Sequence, residues 1–386
     1  MGKARNLIVV LWWYLAGGTV ICKDIWDVRN NIERLPRVLN FFPVPIPEEC
    51  NANDGRRKGI CMNTYECRME GGKSYGFCAH GFGVCCVFTA TCNDEISNNS
   101  TYFVNPDFPD LTSGMTFCSS TIRIADEDVV QLRFDFVHFN LGQPNRRTGV
   151  CEEDVFLVTR GDDVQKNLVL CGLNSGQHAY FDVGTADGTI KISMNMSRRA
   201  VTRLWEVRIT QIPFSQRAPT GCLQYFEGTS GTIKTMNFAE NGRHLANQDY
   251  NICVRQDEGA CSIAYEPCHE DSFRIHPNRD GTTDEETGSG DGEPRQSDDC
   301  NDRITVPCDS EDLLLTDDEL QEGILAHCET THCGGSLCAG EEGPCRIEST
   351  VTPFVIGVHF GENVRDVSPE DNLGMCLNYE QLPCNV

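Results

Sequence analysis

Apolar and polar residues alternate in short runs through most of the chain. In Thr189-Ile-Lys-Ile-Ser-Met-Asn-Met196 one face carries Ile190, Ile192, Met194 and Met196, and the other Lys191, Ser193 and Asn195. A period of two is the signature of a strand with one face in a core and one in water. Trp205, Val207 and Ile209 alternate with Glu206, Arg208 and Thr210 in the same way, and Phe354, Ile356, Val358 and Phe360 repeat the pattern near the end of the chain. Between Gln131 and Leu141 the apolar phase flips at Phe136-Val137, which predicts a β-bulge. Short alternating runs separated by turn residues predict an all-β chain built from sandwiches. Two stretches depart from this. Leu313 to Ala326 predicts one short helix capped by Thr316 or Asp317, and residues 23–49, with Pro36, Pro43, Pro45 and Pro47, predict an extended arm.

The alternating pattern occurs in two copies. The octet Cys151-Glu-Glu-Asp-Val-Phe-Leu-Val returns as Cys268-His-Glu-Asp-Ser-Phe-Arg-Ile, and a Cys-Gly step follows each, at Cys171-Gly172 and Cys333-Gly334. Such a repeat predicts a duplicated domain. The first copy covers residues 92–212. The second, after a proline-bearing linker from Pro213 to Gly221, covers residues 222–386. The strand at 354–360 answers the one at 190–196, and Cys222 and Cys253 answer Cys92 and Cys118. The second copy is swollen by an insertion at about 276–332. Within it, Arg279 to Asp299 is acidic and too poor in apolar residues to order itself, so a flexible loop is expected there.

Composition sets the compartment. Lys3 and Arg5 precede an apolar stretch from Leu7 to Ala16 and the small residues Gly17-Gly18-Thr19, the pattern of a cleaved secretory leader over residues 1–22. The apolar stretch is too short to span a bilayer, so no membrane insertion is expected. The chain holds 23 cysteines, an even number once Cys22 leaves with the leader. A dense, even set in a secreted chain reads as a disulfide framework, and the short paired spacings of a zinc site are missing. Six of them, Cys50, Cys61, Cys67, Cys78, Cys85 and Cys86, crowd into residues 50–86 among glycines and few large apolar side chains. So small a core requires bridges. A formal net charge of −25 excludes nucleic acid as a natural partner.

The spacing of those six cysteines and the ending Gly81-Phe-Gly-Val-Cys-Cys86 resemble the clip module of arthropod extracellular proteins. The resemblance implies the pairs Cys50–Cys85, Cys61–Cys78 and Cys67–Cys86. Residues 92–212 resemble a CUB domain through Cys92, Phe103-Val-Asn-Pro-Asp-Phe-Pro109, Cys118, Cys151-x-x-Asp154-x-Phe156 and Cys171-Gly172. Residues 222–386 resemble it more loosely, ending in Gly374-Met-Cys-Leu-Asn-Tyr379. The implied fold is all-β, a small disulfide-rich module followed by two CUB-type antiparallel β-sandwiches. The implied pairs are Cys92–Cys118, Cys151–Cys171 and, by correspondence, Cys222–Cys253, with the other pairs of the second copy left open. The whole arrangement is similar to secreted arthropod proteins that contain CUB domains. Many CUB domains hold calcium with a glutamate before the third cysteine, an aspartate after it and a second aspartate in a later loop. The resemblance carries the first aspartate to Asp154 and Asp271, the candidate calcium ligands. The glutamate position falls near Leu141-Gly142, and the later loop reads Met196-Ser-Arg-Arg199, which puts positive charge where a cation would sit. In the second copy Glu266, Asp366 and Asp371 are loosely available. The alternative role for both candidate aspartates is that of a hydrogen-bonded turn residue, and no other cofactor is expected.

Arg160-Gly161-Asp162 is an adhesion-type tripeptide at an expected hairpin tip, and its Gly-Asp step is also ordinary turn chemistry. Asn98, Asn99 and Asn195 head glycosylation sequons, Asn195 on the polar face of its strand. The nine histidines form no recognisable nucleophile-base-orienter set, so no enzyme is expected. The expected function is that of a secreted, non-enzymatic protein that binds extracellular proteins or glycans. The alternatives are a non-catalytic regulator of extracellular clip-protease cascades and a component of an extracellular matrix or egg coat.

Overall fold

The computed structural model describes residues 48–161, 163–184, 189–197, 202–239, 242–275, 300–308, 330–338, 345–362 and 372–384. The leader, the arm up to residue 47, the acidic stretch 279–299 and the expected helix at 313–326 lie outside the described residues. So do Asp162, Arg198, Arg199, Asp366 and Asp371. The chain divides into two compact units, residues 1–88 and 89–386.

The first unit is a small sheet pinned by sulfur. Strands β1 (Glu49–Asn51), β2 (Lys58–Met62), β3 (Lys73–Cys78) and β4 (Gly83–Ala90) run in the order β1-β2-β4-β3, all antiparallel. Helix α1 (Thr64–Met69) starts at Asn63, whose side chain accepts the Tyr65 N–H at 2.8 Å while Glu66 reaches back to the Asn63 N–H. Among its described residues the buried apolar cluster is Cys67, Val84, Cys86 and Phe88. Disulfides join Cys50 to Cys85, Cys61 to Cys78 and Cys67 to Cys86, so the adjacent cysteines of β4 tie β1 and α1 to one central strand. The bridges limit the freedom of the unfolded chain, which a core of four side chains does not offset.

In the second unit, residues 92–213 form a sandwich. Its strands are β5 (Glu95–Ile96), β6 (Ser100–Val104), β7 (Phe117–Ile122), β8 (Val129–Asn140), β9 (Asp154–Arg160), β10 (Asp163–Leu170), β11 (His178–Asp182), β12 (Ile190–Met196) and β13 (Leu204–Pro213). One sheet has the order β6-β13-β8-β11 and the other β10-β9-β12-β7-β5. The alternating faces meet between them. Ile190, Ile192, Met194, Trp205, Val207 and Ile209 are fully buried, and Phe136, Phe139 and Phe156 lock edge to face at 4.9 and 5.5 Å. The expected bulge is present. Glu206 faces His138 and Val207 faces Phe136, leaving Val137 as the extra residue. Cys92 is bonded to Cys118 and Cys151 to Cys171.

Residues 222–384 repeat the plan with β14 (Cys222–Phe226), β15 (Ser230–Lys234), β16 (Gln248–Val254), β17 (Ala260–Pro267), β18 (Phe273–Arg274), β19 (Arg303–Thr305), β20 (Thr331–His332), β21 (Ile347–Ser349), β22 (Phe354–Phe360) and β23 (Gly374–Pro383). The sheets are β14-β16-β22-β19-β20 and β15-β23-β17-β21, with β18 also on β23. The duplication is therefore real, but the two octets are not its matching parts. β12 lies between β7 and β9, and β22 between β16 and β19, so β19 takes the place of β9. The cysteine before β19 is Cys300, bonded to Cys333 as Cys151 is to Cys171, whereas Cys268 is bonded to Cys376. The amide of Leu141 donates to Gly172 O, and that of Ile275 to Gly334 O. The second octet thus ends where β8 ends, in the interrupted continuation of β17. Its likeness to the first reflects shared strand chemistry rather than shared position. Cys222 is bonded to Cys253, Cys261 to Cys384 and Cys338 to Cys345.

Candidate functional site

Asp154 opens β9 and is 1 % exposed. Arg203, fully buried, grips it with two charge-assisted hydrogen bonds, Nε to Oδ2 at 2.6 Å and Nη2 to Oδ1 at 2.8 Å. The amides of Gly142 and Ser197 add donors at 2.7 and 3.1 Å. Burial pushes the carboxyl pKa up, but the Arg203 bonds and the two amides outweigh it and hold the group below its ordinary value. Both oxygens are engaged by protein donors, and the positive charge sits 2.6 Å away on Arg203. Calcium needs six to eight oxygens. The residues around Asp154 do not fit it, and the calcium role expected of this aspartate is corrected: a guanidinium takes the cation's part.

The correspondence that made Asp271 a candidate is corrected: its side chain is exposed and pairs with Arg274. The residue placed like Asp154 is Asp302, just before β19 and fully buried. Oδ1 of Asp302 accepts the amide of Gly361 at 2.7 Å, as Asp154 accepts that of Ser197, each amide lying one residue past its central strand. Oδ2 lies 3.7 Å from His244 Nε2, and the charge of Arg243 acts on the same carboxylate. His244 stacks on Phe360 at 4.0 Å and bonds Asn372. Among the described residues no group of three or more His, Cys, Asp or Glu side chains converges to hold a metal.

The loops beside these aspartates meet each other. Asn237, from the turn after β15, is fully buried in a left-handed conformation at φ +63°. Its amide donates to Asn174 Oδ1 at 2.7 Å, its Oδ1 accepts the Leu173 N–H at 2.8 Å, and its Nδ2 donates to Gln143 Oε1 and Arg243 O. Gln177 donates to Thr235 O, Ala246 to Gly149 O and Ala218 to Gln131 Oε1. The Tyr225 N–H donates to His178 Nε2 at 3.0 Å. One apolar cluster includes core residues of both sandwiches. The two domains are docked along a polar joint of hydrogen bonds, within which Gln177 Oε1 and the Arg243 guanidinium are buried without a hydrogen-bond partner among the described residues.

An open cleft of about 640 Å³ lies next to the joint, lined by Asn140, Gln143, Asn145, Arg146, Glu152 and Leu173 among others. Leu173 is 40 % exposed there. Arg160 and Gly161 lie at the expected hairpin tip between β9 and β10, and Arg160 is held there. Its Nη1 donates to Val183 O and packs against Gly184, while Gly161 makes the turn. Asn99 and Asn195 are exposed and Asn98 half-buried. His138 lies 3.8 Å from Glu206, and His359 2.8 Å from Asp249. Arg203, Asp302, Asn237 and His178 were not legible as site residues. The one usable signal was Cys300-Asn-Asp302 ahead of the alternating Ile304 and Val306.

No curated protein sequence matches the chain. Among solved structures, the CUB1-EGF-CUB2 domains of rat MASP-1 are 14 % identical, covering 76 % of this chain and 99 % of theirs, with a TM-score of 0.24. The MASP-1 CUB2 domain bound to Ca2+ is 17 % identical, covering 31 % of this chain and 99 % of its own, with a TM-score of 0.25. The full extracellular region of zebrafish Gpr126/Adgrg6 is 13 % identical, covering 75 % of this chain and 36 % of its own, with a TM-score of 0.26. The family model of the CUB domain matches residues 92–208, and that of the animal CUB domain residues 219–382. With the two sandwiches, their topology and their bridges, these matches assign the chain two CUB domains, extracellular protein-interaction modules in tandem.

Proposed function

We propose that the chain is a secreted, non-enzymatic binding protein in which two docked CUB domains present one fixed surface to an extracellular protein. The observation that carries this reading is the cleft beside the joint. Its wall residues Gln143 and Leu173 are bonded to Asn237 of the other domain, so its shape is set by both domains together. A preorganised surface loses little freedom on binding. Its mixed lining, with exposed Leu173 among Asn145, Arg146 and Glu152, suits a protein contact with an apolar centre and polar rim. A calcium cofactor is not part of this reading.

A second contact surface is favoured by the six-cysteine module, whose Tyr65, Met69, Phe77 and Phe82 are all more than half exposed. This would suit a non-catalytic regulator of extracellular proteolysis. Both readings are tested by cross-linked capture of partners from the animal's extracellular fluid, comparing the wild-type chain with Leu173→Glu and with the double variant Phe77→Ser, Phe82→Ser. Capture reduced at least tenfold by Leu173→Glu, at unchanged melting temperature, is expected. Capture untouched by that variant and abolished by the double variant would move the binding role to the module.

A further inference from the structure

We propose that the joint between the two CUB domains is an acid-labile clasp in which the imidazole of His178 is the titrating group. His178 lies on β11 and Tyr225 on β14, the end strands of their sheets, so the 3.0 Å bond from the Tyr225 N–H to His178 Nε2 passes from one domain to the other. An imidazole nitrogen that accepts a hydrogen bond carries no proton of its own. Protonation of Nε2 turns an acceptor into a donor facing a donor, and the contact is lost.

The surroundings favour the neutral ring. From β11, Tyr180 meets it edge-on at 5.7 Å, and from β14, Phe226 does so at 4.8 Å, with Tyr379 of β23 behind Phe226 at 6.4 Å. From β8, Asp135 is the ladder neighbour of His178, but its carboxylate is engaged by Arg133 at 2.8 Å, and Arg133 also donates to the Tyr180 hydroxyl. Past β14, Glu227 is paired with Arg255 at 3.1 Å, and Arg255 also lies 3.8 Å from Asp257. The Asp135 charge favours an imidazolium, but less than burial and the Arg133 charge oppose it. Burial first, and then the Arg133 charge, push the imidazole from 6.5 down to about 4.

The direction of the pH effect follows. A value lower in the docked state means that undocking takes up a proton, so docking is fully supported above pH 6.5 and weakens as pH falls from there toward 4. With these two values as limits, the docking equilibrium falls at most about 30-fold by pH 5 and about 160-fold by pH 4 relative to alkaline solution. The inference stands apart from the binding role and does not require it.

The test uses the full chain. The His178 ring is titrated by NMR, and hydrogen-exchange protection of the Leu173 and Asn237 amides is compared at pH 7 and pH 5 in wild type and His178→Gln. A glutamine side-chain oxygen can accept the Tyr225 N–H but does not titrate. The expected result is a His178 pKa well below 6.5, and a wild-type protection factor that drops up to about 20-fold relative to the variant. A His178 pKa near 6.5 in the docked chain, or equal losses of protection in the two proteins, overturns the proposal. If the variant does not fold, the titration of the wild type decides alone.

Discussion

Replacing Arg203 by alanine is expected to destabilise the first CUB domain by about 3–5 kcal/mol, the cost of leaving a buried carboxylate without its partner. Asp154 would retain only the Gly142 and Ser197 amides. For a domain of this size the loss should lower the melting temperature by roughly 10 °C or more. Leucine at both positions should recover most of that loss, because a buried ion pair is often replaceable by apolar groups of similar volume while half a pair is not. The pH dependence has a definite sign. The Asp154 carboxyl sits below its ordinary value in the folded chain, so its contribution is present above that value and is lost as pH falls through the folded one. The gap between wild type and Arg203→Ala should therefore narrow in acid. Chelation with EDTA is expected to leave the wild-type melting temperature unchanged, because the guanidinium and not a metal neutralises Asp154. A drop on chelation would place a structural cation in the domain.

The second large effect is expected from Gly172→Ala. Gly172 has φ +77°, and an added Cβ would stand 2.1 Å from Asn237 Oδ1 and 2.6 Å from its Cγ. The Asn237 side chain cannot swing aside cheaply, since its bonds to Leu173, Gln143 and Arg243 are made in a buried site where each lost bond costs about 1–3 kcal/mol. The expected loss is above about 3 kcal/mol, and calorimetry should show two separate transitions where the wild type shows coupled unfolding. Gly176 provides the control. It has a similar φ of +82° but nothing within 4 Å of an added Cβ, so Gly176→Ala should cost only the backbone strain of about 1–2 kcal/mol. Equal effects of the two substitutions would show that the backbone, not the joint, is responsible.

The fold was legible where one residue's neighbours along the chain determine its role. Alternation placed Ile190, Ile192, Met194 and Met196 in the core, and the phase flip at Phe136-Val137 located the bulge. Register between domains was harder to read. Cys268-His-Glu-Asp copies the composition of Cys151-Glu-Glu-Asp, but a strand's local pattern does not say which neighbour it will pair with. Only the ladder partners of β18 and β19 reveal that Asp302 stands in the place of Asp154. The site lay further out of reach. Arg203 is 49 residues from Asp154, and Asn237 is 63 residues from Asn174. Nothing in Thr202-Arg203-Leu204 marks an arginine destined for full burial. Positive charge was legible in the loop after β12, whereas the arginine that pairs with Asp154 is Arg203, at the end of that loop. Similarly, the tandem was visible as two units, while their docking depends on side chains meeting across loops of different length.

Residues 92–212 and 222–384 are expected to behave as one body in solution. Residual dipolar couplings of backbone amides, collected on the full chain at neutral pH, test it most directly. Domains docked through Asn237, Gln177 and His178 should align with a single shared tensor, whose axes and magnitude agree when fitted to either domain alone. Two tensors of different magnitude or orientation would mean that the domains move on a hinge, and the account of a fixed two-domain surface would fail.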